Sequence, residues 1–345
     1  MKRYIKYLAG ISFIIFCISC EEVIEFKGEA IEPKVVIYSL FDPDSLIKIN
    51  LSASYPVFQW DYKHKQIDNA EVRLYKDGTL AETLLYIPPV QQPENSPPFP
   101  FSSYSSITLK PDSGSIYSLE VDVPGFSTVK STVEFPVFTP IEKIDTLTQK
   151  TLDDNWESQY LQAKIKIKDP PGEENFYRIR VLRRDGYYAG SKQDPYSSEN
   201  PIIITPFNQF HVEFDPIMLP AEDNELFGNY IFNQYGIFSD ELIAGKEYDL
   251  TLKFFESGFD QEYFEFYIYL IELYSISKDL YLYLKSLSAH YTTDGDFISE
   301  PVIVYTNIQN GLGIVGTQLV SRVHITKGEF PVEGVNYEFA EDYYY

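Results

Sequence analysis

The sequence predicts a mostly β protein: an antiparallel sandwich, followed by a second β-rich domain with one helix and a long aromatic insertion. Short stretches of alternating apolar and polar residues recur along the chain, separated by turn-forming clusters of Gly, Pro, Asn and Asp. The 29 Tyr and 25 Phe residues support this interpretation, because both side chains favour strands. Hydrophobic residues make up 44% of the 345, and the length predicts two domains of about 100–200 residues each.

The N-terminus has the pattern of an export signal. An apolar run over residues 7–18 follows three basic residues and is followed by Ser19 and Cys20. The run is too short for a transmembrane helix, which needs about 20 apolar residues, and this order of regions is typical of a secretory signal. A cysteine at the cleavage point resembles the lipobox of bacterial lipoproteins. It implies that residues 1–19 are removed and that Cys20 becomes the lipidated first residue.

Two other interpretations of this segment stay open. It also fits an ordinary secretory signal or membrane anchor, and Cys17 and Cys20 have the spacing of a redox or zinc-binding pair. The redox or zinc alternative is disfavoured because no second ligand pair accompanies the cysteines. In the lipoprotein interpretation residues 20–33 are a tether, and Glu21 and Glu22 resemble the surface-export signal of outer-membrane lipoproteins. We therefore expect a body attached to the outer membrane and facing outward.

Composition and motifs exclude several classes of function. A net charge of −23 opposes binding to nucleic-acid phosphates, which needs a basic surface. The four histidines are far apart in the sequence, and neither a His-Glu-x-x-His nor a Gly-x-Ser-x-Gly motif occurs. We therefore predict no catalytic residue, no metal site and no cofactor. Two alternatives stay open: a calcium loop at Asp294-Gly295-Asp296 with Glu300, and a carboxylate pair for glycoside hydrolysis among the 51 acidic residues.

The first domain is predicted over residues 34–140. Strands are predicted at 34–40 and 47–52 as a first hairpin, at 69–75 and 80–86 as a second hairpin, and at 115–123 and 129–133. Asp77 and Gly78 supply the turn of the second hairpin. The proline-rich stretch 88–100 predicts an exposed loop, with recognition as a proline-rich ligand as the alternative. This order of elements resembles transthyretin-like, carboxypeptidase-regulatory-like and immunoglobulin-like sandwiches, which implies a fold without catalytic residues.

The second domain is predicted over residues 141–345. Strands are predicted at 160–168, 176–184, 246–255, 262–274 and 301–305, the first two as a hairpin. Ser277 is placed to cap a helix that runs to about His290. Residues 185–245 form a long connection without clear periodicity that is rich in Tyr and Phe. Such a connection is the candidate binding insertion, and elaboration of the core is the alternative.

The stretch after residue 300 resembles a known family. It reads Pro301-Val302-Ile303-Val304-Tyr305-Thr306-Asn307-Ile308-Gln309-Asn310-Gly311-Leu312-Gly313-Ile314. It is similar to the closing motif of the outer-membrane lipoproteins grouped as domain of unknown function 4249, although Val315 stands where an aromatic residue is usual. The resemblance covers nearly all of the chain after the signal. It implies an outer-membrane location, no enzymatic activity, and association with SusC-type TonB-dependent transporters.

The same stretch contains a glycine pattern that could be mistaken for a dinucleotide site. Gly311, Gly313 and Gly316 have the spacing Gly-x-Gly-x-x-Gly. No βαβ pattern surrounds them, so the sequence predicts a glycine-permitted loop packed against the sheet.

Three functions are compatible with these patterns. The leading hypothesis is a non-enzymatic accessory that binds a SusC-type TonB-dependent barrel and helps capture or gate its substrate, and it predicts a ligand-sized pocket between the domains. The candidate partner-binding residues are Asn307, Asn310, Gly311, Gly313, Tyr230 and Tyr235. A structural canopy in an outer-membrane assembly or secretion machine, with barrel-assembly subunits as partners, predicts flat interfaces and no pocket. A surface hydrolase, the third hypothesis, requires convergent carboxylates in a cleft.

Overall fold

The computed structural model describes residues 32–55, 66–89, 102–153, 156–188, 202–218, 233–255, 266–293 and 302–328. The first region contains β1 (Val35–Phe41), β2 (Lys48–Ala53), β3 (Glu71–Lys76), β4 (Thr79–Thr83), β5 (Leu85–Ile87), β6 (Ser103–Ser105), β7 (Tyr117–Asp122) and β8 (Val129–Val133). The second contains β9 (Ile141–Asp153), β10 (Trp156–Lys168), β11 (Phe176–Tyr188), β12 (Ile202–Ile204), β13 (Asn208–Gln209), β14 (Ile237–Ser239), β15 (Glu247–Phe255), β16 (Phe266–Ile276), helix α1 (Lys278–Thr293) and β17 (Leu312–Gly328). These elements belong to one compact unit, which is mostly β as predicted.

The strands form two sandwiches that share one sheet. The main sheet has the order β12-β11-β16-β17-β1-β2-β6-β5, and β13 and β14 also pair with β11. The sheet β4-β3-β7-β8 packs on its β1 and β2 side, and the sheet β15-β10-β9 packs on its β11 and β16 side. The predicted antiparallel sandwich is therefore confirmed. The boundary at residue 140 stays a prediction, since strands from both sides of it lie in the main sheet.

Strand β17 joins the two sandwiches. Residues 312–317 run parallel to β1, and residues 318–328 run antiparallel to β16. Because alternate side chains of a strand lie on the same face, one face of β17 can contribute to both cores. Val315 lies in the first core, and Ile325 lies in the second.

Local pairing in the first region agrees with the sequence. β1 and β2 form the first predicted hairpin, and β3 and β4 form the second, with Asp77 and Gly78 at positive φ in its turn. The return strand is shorter than predicted, because the chain leaves the smaller sheet at Leu84. Leu84 is buried in the core, and β5 then pairs with β6 in the main sheet.

The predicted hairpin of residues 160–168 with 176–184 is wrong. β10 pairs with β9 and β15, whereas β11 pairs with β16. The two strands instead face each other across the second core, where Ile165 of β10 and Ile179 of β11 belong to the same buried cluster. Both edges of β10 are occupied, so the turn after Lys168 carries the chain from one sheet to the other.

Two predictions near the end of the chain are also wrong. Residues 302–305 form no strand, and Ile303 is 91% exposed. The glycine segment expected as a loop instead begins β17. Gly313 permits this pairing, because its φ is +97° and a Cβ there would lie 2.0 Å from the carbonyl oxygen of Ile37. Strand β9 is not among the predicted strands, and most of its described side chains are exposed without alternation.

The described parts of the predicted insertion 185–245 contribute to the protein interior. Phe207 and Phe238 are buried, and Phe210 and Phe214 pack against the second core. These residues favour core elaboration for this part of the insertion. Residues 90–100 of the proline-rich stretch and the calcium-loop candidate at 294–300 lie outside the described residues.

Candidate functional site

A cleft of about 570 Å³ lies beside the N-terminus of α1. Three segments line it, at residues 132–137, 173–176 and 276–279. The first segment leaves β8 of the first sandwich, and the other two belong to the second. The cleft therefore lies at the junction of the two sandwiches, and all three lining segments are described.

The third segment is fixed by the start of α1. Ser277 caps the helix as predicted, since its Oγ accepts a hydrogen bond from the backbone N–H of Leu280 at 3.4 Å. The same Oγ accepts from the N–H of Thr317 at 3.3 Å, and the N–H of Ser277 donates to the carbonyl of Thr317 at 3.0 Å. β17 thus holds the first turn of α1 in place.

Asp279, in this first turn, connects the cleft with the closing motif. Its carboxylate accepts a hydrogen bond from the Tyr305 hydroxyl at 2.5 Å and another from Nδ2 of Asn307 at 3.2 Å. Burial, together with the hydrogen bond to Asp279, raises the pKa of Tyr305 to about 12. Asn307 also pairs with the backbone of Val315, accepting from its N–H at 3.0 Å and donating to its carbonyl at 2.8 Å. The Asn307 side chain is therefore fixed by the backbone of β17 and in turn holds the Asp279 carboxylate through a hydrogen bond.

Lys278 occupies a cation site at the mouth of the cleft. Its Nζ donates to Oε2 of Glu174 at 2.6 Å and lies 5.8 Å from the ring centroid of Phe176. The Phe176 ring packs against Tyr281 of α1, with ring centroids 4.7 Å apart. The side chains of Lys278 and Glu174 are 59% and 70% exposed, so this ion pair faces solvent.

The turn that carries Glu174 is held by buried polar groups. Nδ2 of Asn175 donates to the carbonyls of Pro170 and Glu173, both at 3.1 Å, and to the carboxylate of Asp240 at 3.3 Å. Burial of Asn175 makes these hydrogen bonds costly to lose. The turn is thus a fixed wall of the cleft.

The wall from the first region is anchored on both sides. The hydroxyl of Thr317 donates to the carbonyl of Glu134 at 2.5 Å, and the N–H of Thr139 donates to Oγ of Ser275 at 3.0 Å. Between these anchors Val137 and Phe138 are close to half exposed. The segment thus presents apolar side chains beside the cleft.

The charge of the cleft is negative. The residues that line it include four acidic ones, Glu134, Glu173, Glu174 and Asp279, and one basic one, Lys278. Phe135, Pro136, Val137, Phe176 and Ile276 supply the apolar part of the lining. The arrangement suits binding of a group that is both cationic and apolar.

The predicted partner-binding residues have different positions. Asn307 supports the cleft through Asp279, whereas Asn310 is exposed at a φ of 61° and donates to the carbonyl of Thr128 at 3.2 Å. Gly311 is buried where a Cβ would lie 2.9 Å from the carbonyl oxygen of Val35. Gly313 makes the close approach to β1 described above. Gly311 and Gly313 thus serve the joint between β1 and β17, whereas Asn310 contacts the residue before β8.

Tyr235 lies apart from the lining of the cleft. Its carbonyl accepts from Nε of Arg178 at 3.2 Å, and its ring packs against the cluster that includes Leu280 and Leu284 of α1. Burial and the neighbouring Tyr291 and Tyr283 raise the pKa of its hydroxyl to about 12. Cys20, Glu21, Glu22 and Tyr230 lie outside the described residues.

A buried ionic network lies on the face of the main sheet that points away from the second core. Glu272 accepts hydrogen bonds from Arg180, from Arg322 at 2.9 Å and from the Tyr274 hydroxyl at 2.8 Å. Burial alone would raise the pKa of Glu272, but the charge of Arg180 and these hydrogen bonds outweigh it and hold the pKa below its usual range. Its acceptor oxygens are engaged by these three side chains, which suits the network to a structural role.

The described residues contain no group of three or more His, Cys, Asp and Glu side chains that could hold a metal ion. None of their helices has the length and apolarity needed to cross a membrane.

Sequence reasoning missed most of the cleft. None of Glu134, Glu174, Lys278 and Asp279 was singled out as a site residue. Glu173 and Glu174 follow the turn Pro170-Pro171-Gly172, which is the one local signal that could have marked them as an exposed acidic pair. Nothing in the sequence brings Glu134 near them, since that requires the crossing of two sheets.

Comparison with known proteins gives the family. A search of the curated proteins found no match. The model of the family described as domain of unknown function (DUF4249) matches residues 21–323, which include all three segments of the cleft. Because the match spans most of the chain, this protein belongs to the DUF4249 family.

Proposed function

We propose that the protein is a lipid-anchored outer-membrane lipoprotein that faces outward and acts as a non-enzymatic binding subunit of a SusC-type TonB-dependent barrel. The cleft at the junction of the sandwiches is the observation that carries the proposal. A ligand-sized pocket between the two regions is what an accessory role requires and a flat canopy lacks. The volume of about 570 Å³ falls in the range of about 300–1,000 Å³ that ligand sites occupy.

The N-terminal motif supports the location. A signal that ends at Cys20 implies acyl chains on that residue, and two or more chains give a durable anchor where one is marginal. Glu21 and Glu22 support export to the surface. The resemblance to outer-membrane lipoproteins implies association with a SusC-type transporter, which supports the proposed partner.

The state of the carboxylates supports binding over hydrolysis. Glu174 is paired with Lys278, and Asp279 is held by Tyr305 and Asn307. Asp279 is thus held in place and Glu174 is neutralised, which suits both carboxylates to set the charge of the cleft rather than to exchange protons with a substrate.

Extraction of native outer membranes tests the proposal. The full-length chain, tagged after Tyr345, would be expressed as wild type, as Cys20→Ala and as the matched control Cys17→Ala. We expect the wild type and Cys17→Ala to stay in the membrane fraction and to co-extract one TonB-dependent barrel in mild detergent, identified by mass spectrometry. We expect Cys20→Ala to leave the membrane.

Two outcomes would contradict the proposal. Retention of mature Cys20→Ala in the membrane would contradict the proposed lipid anchor at Cys20. Co-extraction of barrel-assembly subunits in place of a transporter would reject the accessory role and favour the canopy.

A further inference from the structure

We infer that the cleft binds a cationic, partly aliphatic segment of the partner protein, in which a Lys or Arg side chain replaces Lys278 against Glu174 and Phe176. The inference rests on the proposed function, because it names the chemistry that a partner must bring to this cleft. The observation that supports it is that Lys278 of α1 already places its ammonium group against Glu174 and Phe176.

Lys278 shows how the cleft receives a cation. Its ammonium lies between the Glu174 carboxylate, at 2.6 Å, and the face of the Phe176 ring, at 5.8 Å. A carboxylate with an aromatic face is a general arrangement for holding an ammonium or guanidinium group. Both charged side chains are more than half exposed, so replacing Lys278 by another cation costs little.

The remaining charge favours a ligand cation. With Lys278 and Glu174 neutralising each other, Glu134, Glu173 and Asp279 leave the set of lining residues with a net negative charge. Hydrogen bonds from neutral groups hold Asp279 in place without cancelling its charge. A basic segment therefore gains attraction from groups that Lys278 leaves unbalanced, and an acidic one is repelled.

The apolar lining favours a peptide segment over a small free amine. Phe135, Pro136, Val137 and Ile276 line the cleft, and the exposed Phe138 follows directly on one wall. Apolar side chains next to the basic residue would cover this surface, which a hydrophilic amine leaves uncovered.

A peptide-binding measurement tests the inference on the full-length chain in a non-ionic detergent. The probes are labelled tetrapeptides with blocked ends and the sequences Leu-Lys-Leu-Lys, Leu-Gln-Leu-Gln and Leu-Glu-Leu-Glu, with spermidine as an unlabelled competitor. We expect the lysine peptide to bind best, and its binding to weaken as salt is raised.

Two substitutions in the cation site should act in opposite directions. Glu174→Gln should weaken binding of the lysine peptide about two- to fivefold, the range for an exposed ion pair. Lys278→Met should strengthen it by a similar factor, because the competing ammonium is gone. The exposed Lys166 and Glu247 form an ion pair outside the cleft. Lys166→Met and Glu247→Gln are therefore matched controls, and neither should change the affinity for the lysine peptide.

The outcomes separate this inference from the proposed function. Equal binding of the three peptides, or weaker binding to Lys278→Met with its fold intact by circular dichroism, would overturn the cation site. Displacement by spermidine at the peptide's own concentration would overturn the peptide class. If the peptide measurements contradict the inference while extraction recovers a transporter, the proposed function stands without the inference. If the peptide binds as expected while no transporter is recovered, the cleft recognises cations and the proposed partner is wrong.

Discussion

The two sandwiches bury their polar groups differently although they share a sheet. The first core is mainly aliphatic, and its charged side chains lie outside it, as in the cluster of Arg73 with Glu120 and Asp122. Arg73 and Glu120 remain 22% and 23% exposed. In the second region Glu272 is 1% exposed and its partner Arg180 9% exposed. The first region is thus stabilised by apolar burial, whereas the second also depends on ions removed from water.

This difference predicts how much stability each region loses when one charged side chain is removed. Exposed ion pairs contribute about 0–1 kcal/mol each, so the first region tolerates loss of a charge. Removal of one partner from a buried pair leaves the other uncompensated and costs about 3–5 kcal/mol. At the joint between the regions the close approach of two backbones matters most, because β17 passes β1 at Gly313.

The largest expected effect is at this joint. In Gly313→Ala the added Cβ would lie 2.0 Å from the carbonyl oxygen of Ile37, so the backbone of β1 or β17 must move. We expect a loss of more than about 4 kcal/mol in the free energy of unfolding, measured by denaturant titration. The control Gly78→Ala also has a positive φ but open space around it, and should cost about 1–2 kcal/mol. Equal losses in the two variants would show that β1 and β17 do not need the close approach.

A smaller effect is expected from the buried network of the second region. Glu272→Gln keeps the shape but removes the charge that compensates Arg180, and should cost about 3–5 kcal/mol at neutral pH. The matched change in the first region, Glu120→Gln, should cost much less because that group is partly exposed. Denaturant titration with hydrogen exchange of β16 and β7 would assign each loss to its region.

The pH dependence sharpens the same comparison. The pKa of Glu272 is held below its usual range, so its contribution to stability is present above about pH 4.3 and is lost as pH falls through the folded pKa. Glu272→Gln should therefore lose less stability between pH 5 and the acid range than the wild type does. An unchanged acid profile would show that the network does not bind the carboxylate in its charged form.

The sequence predicted the first region better than the second, for a physical reason. β1 with β2, and β3 with β4, pair across short turns, so alternation and the turn at Asp77 and Gly78 suffice. In the second region β10 and β11 are adjacent in sequence but lie in different sheets, because their partners are β15 and β16. Alternation identifies a strand that faces a core, but it does not identify the strand's neighbour.

The candidate site was predictable only in outline. The sequence placed a pocket between the regions and marked Asn307, which supports Asp279 through a hydrogen bond. It could not place Glu134 beside Glu174, because these residues meet only after the chain crosses between sheets. Gly311 and Gly313 were assigned to a partner surface, although their lack of a side chain is needed where β17 passes β1.

The smallest expected effect separates the two halves of the closing motif. Asn307→Ala removes hydrogen bonds to Val315 and to Asp279 of the second region, and should cost about 1–3 kcal/mol. Asn310→Gly removes one exposed hydrogen bond to Thr128 of the first region but relieves a φ of 61°, so its stability should stay within about 0.5 kcal/mol of wild type.

Binding of the lysine peptide should follow the same order. Asn307→Ala removes one of the two hydrogen bonds that hold the Asp279 carboxylate. It should weaken peptide binding by less than Glu174→Gln does, because the charge of Asp279 is kept. Asn310→Gly should leave binding unchanged, since Asn310 contacts no lining residue through its described hydrogen bond. A loss of binding in Asn310→Gly, with stability unchanged, would instead make the exposed turn of the motif part of the partner surface.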